Sequence, residues 1–297
     1  MRKPIEAVLE APPSHWVGDG FPVRSLFSYQ QQGASVSPFL LLDYAAPARF
    51  EPSRRRRGVG AHPHRGFETV TIVYAGEVSH RDSGGGGGTI RPGDVQWMTA
   101  GAGVIHDEFH SDAFTSSGGA MEMVQLWVNL PAKHKMTPPR YQNLTRDSIP
   151  VVALPGGGEL RVIAGEYAGQ RGPAATFIPL DVWDVSLTGG SRLTLPAAAG
   201  RRLVVVLLSG EITVNESLHL DDVAAVVLGT DGLDAMVAAG AGEVRLLAMS
   251  GEPIDEPLAG YGPFVMNTEA EIRDAIEDFN SGRFGTLPPA TGGARAS

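Results

Sequence analysis

The stretch His62-Pro63-His64-Arg65-Gly66-Phe67-Glu68-Thr69-Val70-Thr71-Ile72-Val73-Tyr74 decides how the chain is read. Val70 to Tyr74 is β-branched and aromatic, the composition of a strand, and it ends at Ala75-Gly76. His62 and His64 lie two apart, so in an extended chain both imidazoles project from one face. Pro63 fixes its own φ and biases His62 toward extended geometry. Downstream, a strand over Glu77 to Arg81 leads to Ser83 and five consecutive glycines, 84 to 88. That run reads as a flexible hairpin tip with no side chain to pack. Pro92-Gly93-Asp94 is a turn signature. Val95 to Met98 is the next strand, and Ala100-Gly101-Ala102-Gly103 turns into Val104-Ile105-His106. Met121 to Asn129 reads as a further strand.

His106-Asp107-Glu108 repeats the one-face spacing: His106 and Glu108 project together and Asp107 points away. His62, His64, His106 and Glu108 therefore form a candidate set of three imidazoles and one carboxylate. Such donors suit Fe(II), Mn(II), Ni(II), Cu(II) or Zn(II). In an octahedral site they would leave two positions for water or substrate. A lone histidine is more often a surface or satisfied core residue. Two such pairs, each at the edge of a strand, favour a metal. His80 and His110 are spare. Residues 106, 108 and 110 share a face in a continuing strand, so a place beside the ligands is open to His110, and to His80, but for each an ordinary role is the favoured reading. His15, His134 and His219 read as ordinary residues.

The totals agree with a β-rich chain. Gly (38) and Pro (22) make about a fifth of the 297 residues, against about an eighth in typical usage. Many tight turns between short strands need such residues, and a helical bundle does not. There is no Cys, which removes disulfides, thiolate nucleophiles, zinc fingers and iron–sulfur clusters. Any metal must be held by His, Asp or Glu. The formal charge of −9 argues against nucleic-acid binding through a general basic field. The N-terminus lacks the apolar core of a signal peptide. No apolar run is long enough for a membrane span. A cytoplasmic protein is the expectation. Arg54 to Arg57 belong in solvent, as a plain loop or as a patch for an anion or an acidic partner.

Val23 to Tyr29 and Phe39 to Tyr44 read as strands. Pro131, Pro138, Pro139 and Pro150 punctuate a linker over 131–150. In the second half, Arg161 to Gly165, Ala175 to Leu180, Trp183 to Leu187, Arg202 to Leu208, Val223 to Leu228 and Glu243 to Met249 are strand-like. Only Thr268 to Phe279 has helical period, with Ile272, Ala275, Ile276 and Phe279 on one side. Thr268 and Glu271 form a capping box, and Gly282 ends the helix. Residues 288 to 297 read as frayed. Ile72-Val73-Tyr74-Ala75-Gly76-Glu77-Val78 matches Val206-Leu207-Leu208-Ser209-Gly210-Glu211-Ile212, and Gly93-Asp94-Val95 matches Asp221-Asp222-Val223. Two similar β-units, produced by duplication, follow from this.

The spacing resembles the cupin family. Its first motif, His-x-His, then Glu, then Gly, is met by His62, His64, Glu68 and Gly76. Its second motif, a Gly and a His three residues later, is met by Gly103 and His106. The chain departs where cupins often place Asn and this sequence has His110. More closely, it is similar to the pirin family. The resemblance is carried by His62 to Thr71, by Gly76-Glu77-Val78, by His80-Arg81-Asp82-Ser83 and by Ile90 to Gly101. Gly262 to Thr268, with Gly285, carries it at the C-terminal end, and it runs from about residue 20 to 287. It implies an all-β bicupin: two cupin-type β-barrels packed face to face, with a short C-terminal helix. Residues 1–135 would form the barrel that carries a metal, and 136–297 a barrel without one. The family's ligands carry over to His62, His64, His106 and Glu108, with Glu68 a neighbour of the site. Arg202 to Leu228 contains only His219, which suits an empty second barrel.

Several pirins resemble quercetin 2,3-dioxygenase, which opens the central ring of a flavonol and releases carbon monoxide. The resemblance thus implies one divalent transition metal per chain, Fe(II) first, with Mn, Co, Ni, Cu or Zn as alternatives. A flavonol and O2 would be the substrates, and Glu108 the acceptor of the flavonol hydroxyl proton. Phe67, Trp97 and Met98 read as core residues, with a pocket lining as the alternative. A different expectation from the same family is a non-enzymatic, metal- and redox-dependent regulator that binds a protein partner. A monomer is expected in either case.

Overall fold

Period-two stretches in both halves of the chain become antiparallel strands in the computed structural model, which describes residues 1–289. In the first half, one sheet has seven strands in the order Arg140–Leu144, Val95–Thr99, Phe67–Ala75, Gly119–Asn129, Phe39–Phe50, Phe21–Ser28 and His15–Val17. A four-stranded sheet, Gly58–His64, Val104–His110, Val78–Asp82 and Gly87–Ile90, covers one side of it. In the second half, a seven-stranded sheet runs Ile5–Glu10, Ala224–Leu228, Arg202–Ser209, Val244–Gly251, Leu180–Leu187, Gly158–Ala164 and Val151–Ala153. Its four-stranded partner is Arg192–Pro196, Asp234–Ala239, Ile212–Val214 and Leu218–Leu220. The two halves correspond strand for strand. The repeated Gly-Glu turns join equivalent strands, so the short internal match extends to whole units. This is the bicupin fold.

The two seven-stranded sheets pack face to face. A single apolar cluster joins Val70, Ile72, Val124 and Leu126 of the first to Val204, Val206 and Leu247 of the second, all excluded from water. Polar groups close its edge. Tyr74 Oη donates to Asp184 at 3.2 Å, Arg161 pairs with Asp184 at 2.9 Å, and Arg245 donates to both oxygens of Glu122 at 3.0 Å. Each desolvated charge therefore has a partner. A second cluster fills the interior of the C-terminal barrel with Leu, Val and Ala side chains.

The expected division at residues 135 and 136 is crossed by both chain ends. Ile5–Glu10 pairs with Ala224–Leu228 and completes the second barrel. Lys3 anchors it: its ammonium donates to the carbonyls of Ala198, Arg201, Gly229 and Thr230. In return, the C-terminal segment packs on the first barrel. Arg65 donates to Ala102 O at 2.6 Å and to Asp278 at 2.7 Å, and Lys135 donates to Gly66 O and Val265 O, both at 2.9 Å. The helix forms as expected over Glu269–Asn280, with the Thr268–Glu271 capping box, and buries Ile272 and Ala275 against Phe264 and Phe284.

Three expectations are corrected. Ala175 to Leu180 is not a strand; only from Leu180 does the chain join a sheet, because Pro173 and Pro179 lack the N–H that a ladder needs. The linker over 131–150 contains the strand Arg140–Leu144, whose short length and lack of alternating apolar residues hid it. The five-glycine run is not an unpacked tip. Gly87 and Gly88 pair with Val78–Asp82, and a Cβ on Gly86 would lie 2.4 Å from Tyr141 Cβ. The fraying expected from residue 288 lies, from residue 290 on, outside the described residues. Among the described residues no helix is long and apolar enough to cross a membrane.

Because one cluster serves both barrels, Leu247→Ala should lower stability by about 2–5 kcal/mol in urea unfolding. The first barrel should report the loss as fully as the second. Probes in the two barrels that give separated midpoints in the wild-type protein would contradict a shared core.

Candidate metal centre

The strand Val104–His110 sits between Gly58–His64 and Val78–Asp82, and this register assembles the site. It places His106 opposite His62 on one side, and Glu108 opposite His80 on the other. A bulge between His106 and Glu108 shifts the pairing with Gly58–His64. The imidazoles converge inside the barrel, with ring centroids 4.2 Å apart for His62 and His106, 4.8 Å for His64 and His106, and 4.9 Å for His62 and His64. Two overlapping groups have ligand atoms within 4.8 Å of one another: His62, His64 and His106, and His80, His106 and Glu108. His106 belongs to both. The four expected residues are thus brought to one place, with His80 as a fifth.

The donor chemistry suits a cation. His62 Nδ1 lies 2.8 Å from Gly60 O and so donates there, which leaves Nε2 bare. His106 Nε2 and His64 Nδ1 are buried without any hydrogen-bond partner. Buried polar atoms are rarely orphaned, and a metal would satisfy both. Burial, reinforced by the neighbouring imidazoles, holds the pKa values of His64 and His106 well below the ordinary histidine range, so both are neutral and available as ligands. Glu108 Oε1 accepts from Gln96 Nε2 at 2.5 Å and Oε2 from Gln125 Nε2 at 3.0 Å. Thr71 Oγ1 donates to Gln125 Oε1 at 2.9 Å and orients that amide. Two amide donors still leave lone pairs on the carboxylate for a metal or a proton.

His80 lies against the candidate ligands, the less favoured of the two readings open to it. Its Nδ1 is 3.2 Å from His106 Nδ1, and its Nε2 is 3.1 Å from Asp82 Oδ2. Burial works to raise the Asp82 pKa, but the bonds from His80 and Gly86 outweigh it and hold the carboxyl below its usual value. Asp107 points outward and takes a two-oxygen salt bridge from Arg81.

Other expectations are corrected. His110 shares the inward face, but four residues beyond His106 it is about 13 Å further along the strand. There it packs among Phe21, Phe50 and Phe114 and is bonded to Gly20 O at 2.9 Å. Glu68 is not a neighbour of the imidazoles. It alternates with Thr69 and Thr71, so it faces the other barrel with Val70 and Ile72. There it accepts from Thr99 Oγ1 at 2.7 Å, and burial pushes its carboxyl up to about 7. Trp97 also faces the inter-barrel core. Phe67 does line the site, edge-on to His64 at 5.1 Å, and Met98 lies in the interior beside Tyr141.

Several residues escaped the sequence reading. Trp127 stacks on Phe67 at 4.3 Å and reaches His64 at 5.2 Å. Tyr141 stacks on His80 at 5.0 Å. Gln96, Gln125 and Asp82 are common residue types whose role depends on what lies across the barrel; only period-two alternation with buried neighbours hinted that the two glutamines face inward. A cavity of about 330 Å³ touches His80 but lies on the outer face of the sheet, among the paired charges of Arg56, Arg81, Arg91, Glu77, Asp107 and Asp112. Within the candidate ligand set, His62 alone is partly exposed. Arg54 to Arg57 lie outside the centre, in and beside the loop before the Gly58–His64 strand. Arg55 pairs with Asp19, and Arg57 lies over the Phe50 ring.

The second barrel has no equivalent. Its register puts Ala235 opposite Leu195, where the first has His106 and His62, and Val237 opposite Val214, where the first has Glu108 and His80. All four belong to its apolar core.

Comparison with known proteins gives the same picture. The sequence model of the Pirin family matches residues 20–128, and that of the Pirin C-terminal cupin domain matches 182–285. A Pseudomonas aeruginosa protein named "Putative quercetin 2,3-dioxygenase PA2418" is 58% identical over 91% of this chain and 94% of its own. A pirin-like protein of Caulobacter vibrioides is 36% identical over 95% of this chain and 100% of its own. The crystal structure of a quercetin 2,3-dioxygenase from Acinetobacter baumannii superposes with a TM-score of 0.94 at 54% identity, covering 96% of this chain and 99% of that one.

One complete donor set predicts about one metal ion per chain by elemental analysis, falling to near zero in His106→Ala. Two per chain would mean that the second barrel is not empty. Glu68 gives a separate prediction. Its folded pKa of about 7 lies above the ordinary 4.5, so the folded state holds the extra proton. That contribution to stability is complete below about pH 4.5 and is lost as pH rises toward 7. Glu68→Gln should remove a pH dependence on the order of 3 kcal/mol across that window. Equal stability differences between variant and wild type at pH 5 and pH 8 would contradict the assignment.

Proposed function

The chain belongs to the pirin family of the cupin superfamily, and from that premise we propose that it is a metal-dependent dioxygenase that opens the central ring of a flavonol with O2. The ligands in this reading are His62, His64, His106 and Glu108, and Fe(II) is the first metal to test. The observation that carries the reading is a carboxylate held by two amides beside converging imidazoles in a barrel interior. The names of the relatives support the substrate class.

A divalent transition metal bound there supplies a Lewis acid that makes a flavonol hydroxyl more acidic. Glu108 accepts the hydroxyl proton. Gln96 and Gln125 keep its carboxylate from rotating away. Phe67 and Trp127 offer a flat apolar wall against which an aromatic ring system stacks, and their bulk keeps water from that side.

Protein loaded with Fe(II) should bleach the quercetin absorbance while consuming O2. His62→Ala and His106→Ala should abolish this. Glu108→Gln should lower turnover by about 10²–10⁴-fold, the usual contribution of a positioned base. Unchanged absorbance across Fe, Mn, Co, Ni and Cu would remove the enzymatic reading for this substrate and leave the metal-dependent, protein-binding alternative.

A further inference from the structure

The second histidine that touches His106 has both ring nitrogens engaged, which separates it from the ligands. His80 Nε2 faces Asp82 Oδ2 at 3.1 Å, and Nδ1 faces His106 Nδ1 at 3.2 Å. A carboxylate accepts only, so His80 Nε2 carries a proton, and in the neutral imidazole that leaves His80 Nδ1 bare. Gln96 Nε2 gives its two hydrogens to Glu108 Oε1 at 2.5 Å and Thr71 Oγ1 at 3.2 Å, and lies 3.4 Å from His80 Nδ1 without a further hydrogen for it. With His80 Nδ1 an acceptor, His106 Nδ1 must be the donor. His106 Nε2, the buried atom with no partner, is then left with its lone pair free.

We propose that Asp82 and His80 are positioning residues that hold His106 in the one tautomer able to bind a metal through Nε2. The relay extends by one imidazole the usual arrangement in which a carboxylate holds a metal-binding histidine. It also accounts for Gly86 within the glycine run. Asp82 is clamped by the loop, with Gly86 N–H donating to Oδ1 at 2.9 Å and Asp82 N–H donating to Gly86 O at 3.0 Å. Any side chain on Gly86 would strike Tyr141 and Asp82 itself, at 2.4 and 2.5 Å. Asp82 Oδ1 is thus committed to the backbone and Oδ2 to His80.

That commitment makes Asp82→Asn a directional test. The amide oxygen must stay on Gly86 N–H, so the NH₂ faces His80 Nε2 and inverts the chain. His80 Nδ1 becomes the donor, and His106 carries its proton on Nε2, where the metal would bind. The inference rests on the metal-centre reading, so two readouts are needed. In metal-free protein, ¹⁵N NMR of the imidazoles should show His106 protonated on Nδ1 in the wild type and on Nε2 in Asp82→Asn. Ni(II) affinity, measured by competition with a chromophoric chelator, should fall about 10–100-fold in Asp82→Asn at unchanged stoichiometry. Asp82→Ala, which leaves His80 free to take either tautomer, should lose less than Asp82→Asn. The proposal is overturned by a wild-type His106 protonated on Nε2, by an Asp82→Asn affinity within twofold of wild type, or by Asp82→Ala losing as much as Asp82→Asn. The wild-type tautomer needs no substitution and remains decisive if a variant fails to fold. Wild-type protein that binds no Ni(II) would instead count against the metal centre, with the tautomer still deciding the relay.

Discussion

The structure depends on the register of one strand, Val104–His110, between its two neighbours. Side chains alternate with a period of two, so a slip of one residue would turn His106 and Glu108 to the surface and bring Asp107 inward. The Arg81–Asp107 salt bridge on the outer face opposes that slip, because Asp107 without a partner inside would be a buried, unpaired charge. On the inner face the same register sets the imidazoles of His62 and His80 on either side of His106. Stability and chemistry are therefore fixed by the same hydrogen-bonded ladder.

The second barrel shows what the ladder does without the chemistry. It has the same seven-and-four strand arrangement, with Leu195, Val214, Ala235 and Val237 at the positions of the polar cluster. Those side chains need no partners beyond each other, so the interior fills and closes. The first barrel keeps polar groups in its interior by satisfying many of them through Gln96, Gln125, Thr71 and Asp82. His64 Nδ1 and His106 Nε2 are among the buried atoms left without a partner, as are Gln96 Oε1 and Tyr141 Oη. The exchange of ends, with the N-terminal strand in the second barrel and the C-terminal helix on the first, ties the filled unit to the polar one. The shared core between the seven-stranded sheets does the same.

Much of this was legible in the residues. The β-branched runs around Ile72 and Val206 marked central strands because buried strands need such side chains whatever they pack against. The capping box at Thr268 was legible because both its partners lie within one turn of helix. His62, His64, His106 and Glu108 were legible because metal ligands are drawn from few residue types at even spacing. Arg140–Leu144 was not, since an edge strand is held by its neighbour's backbone and its own side chains carry little pattern. Glu68 was misplaced for a similar reason. Its even offset from His64 is broken at Gly66, whose φ of +90° turns the chain between the two strands and reverses which face an even position takes.

The sequence by itself determined the all-β class, the duplication, the ligand types and the absence of thiolate chemistry. These follow from composition and local periodicity, which act over a few residues. Only the tertiary structure decided which face each side chain takes, and so which histidines converge as candidate ligands, which one pairs with Asp82 and which is core. His106, His80 and His110 are the same residue type within or beside one sheet. What separates them is the atom opposite each nitrogen: no protein partner for His106 Nε2, the Asp82 carboxylate for His80, and the Gly20 carbonyl for His110. Asp82 is two residues from His80 on the same strand, whereas Gly20 comes from a distant part of the chain and only the closed barrel brings it within hydrogen-bonding distance of His110.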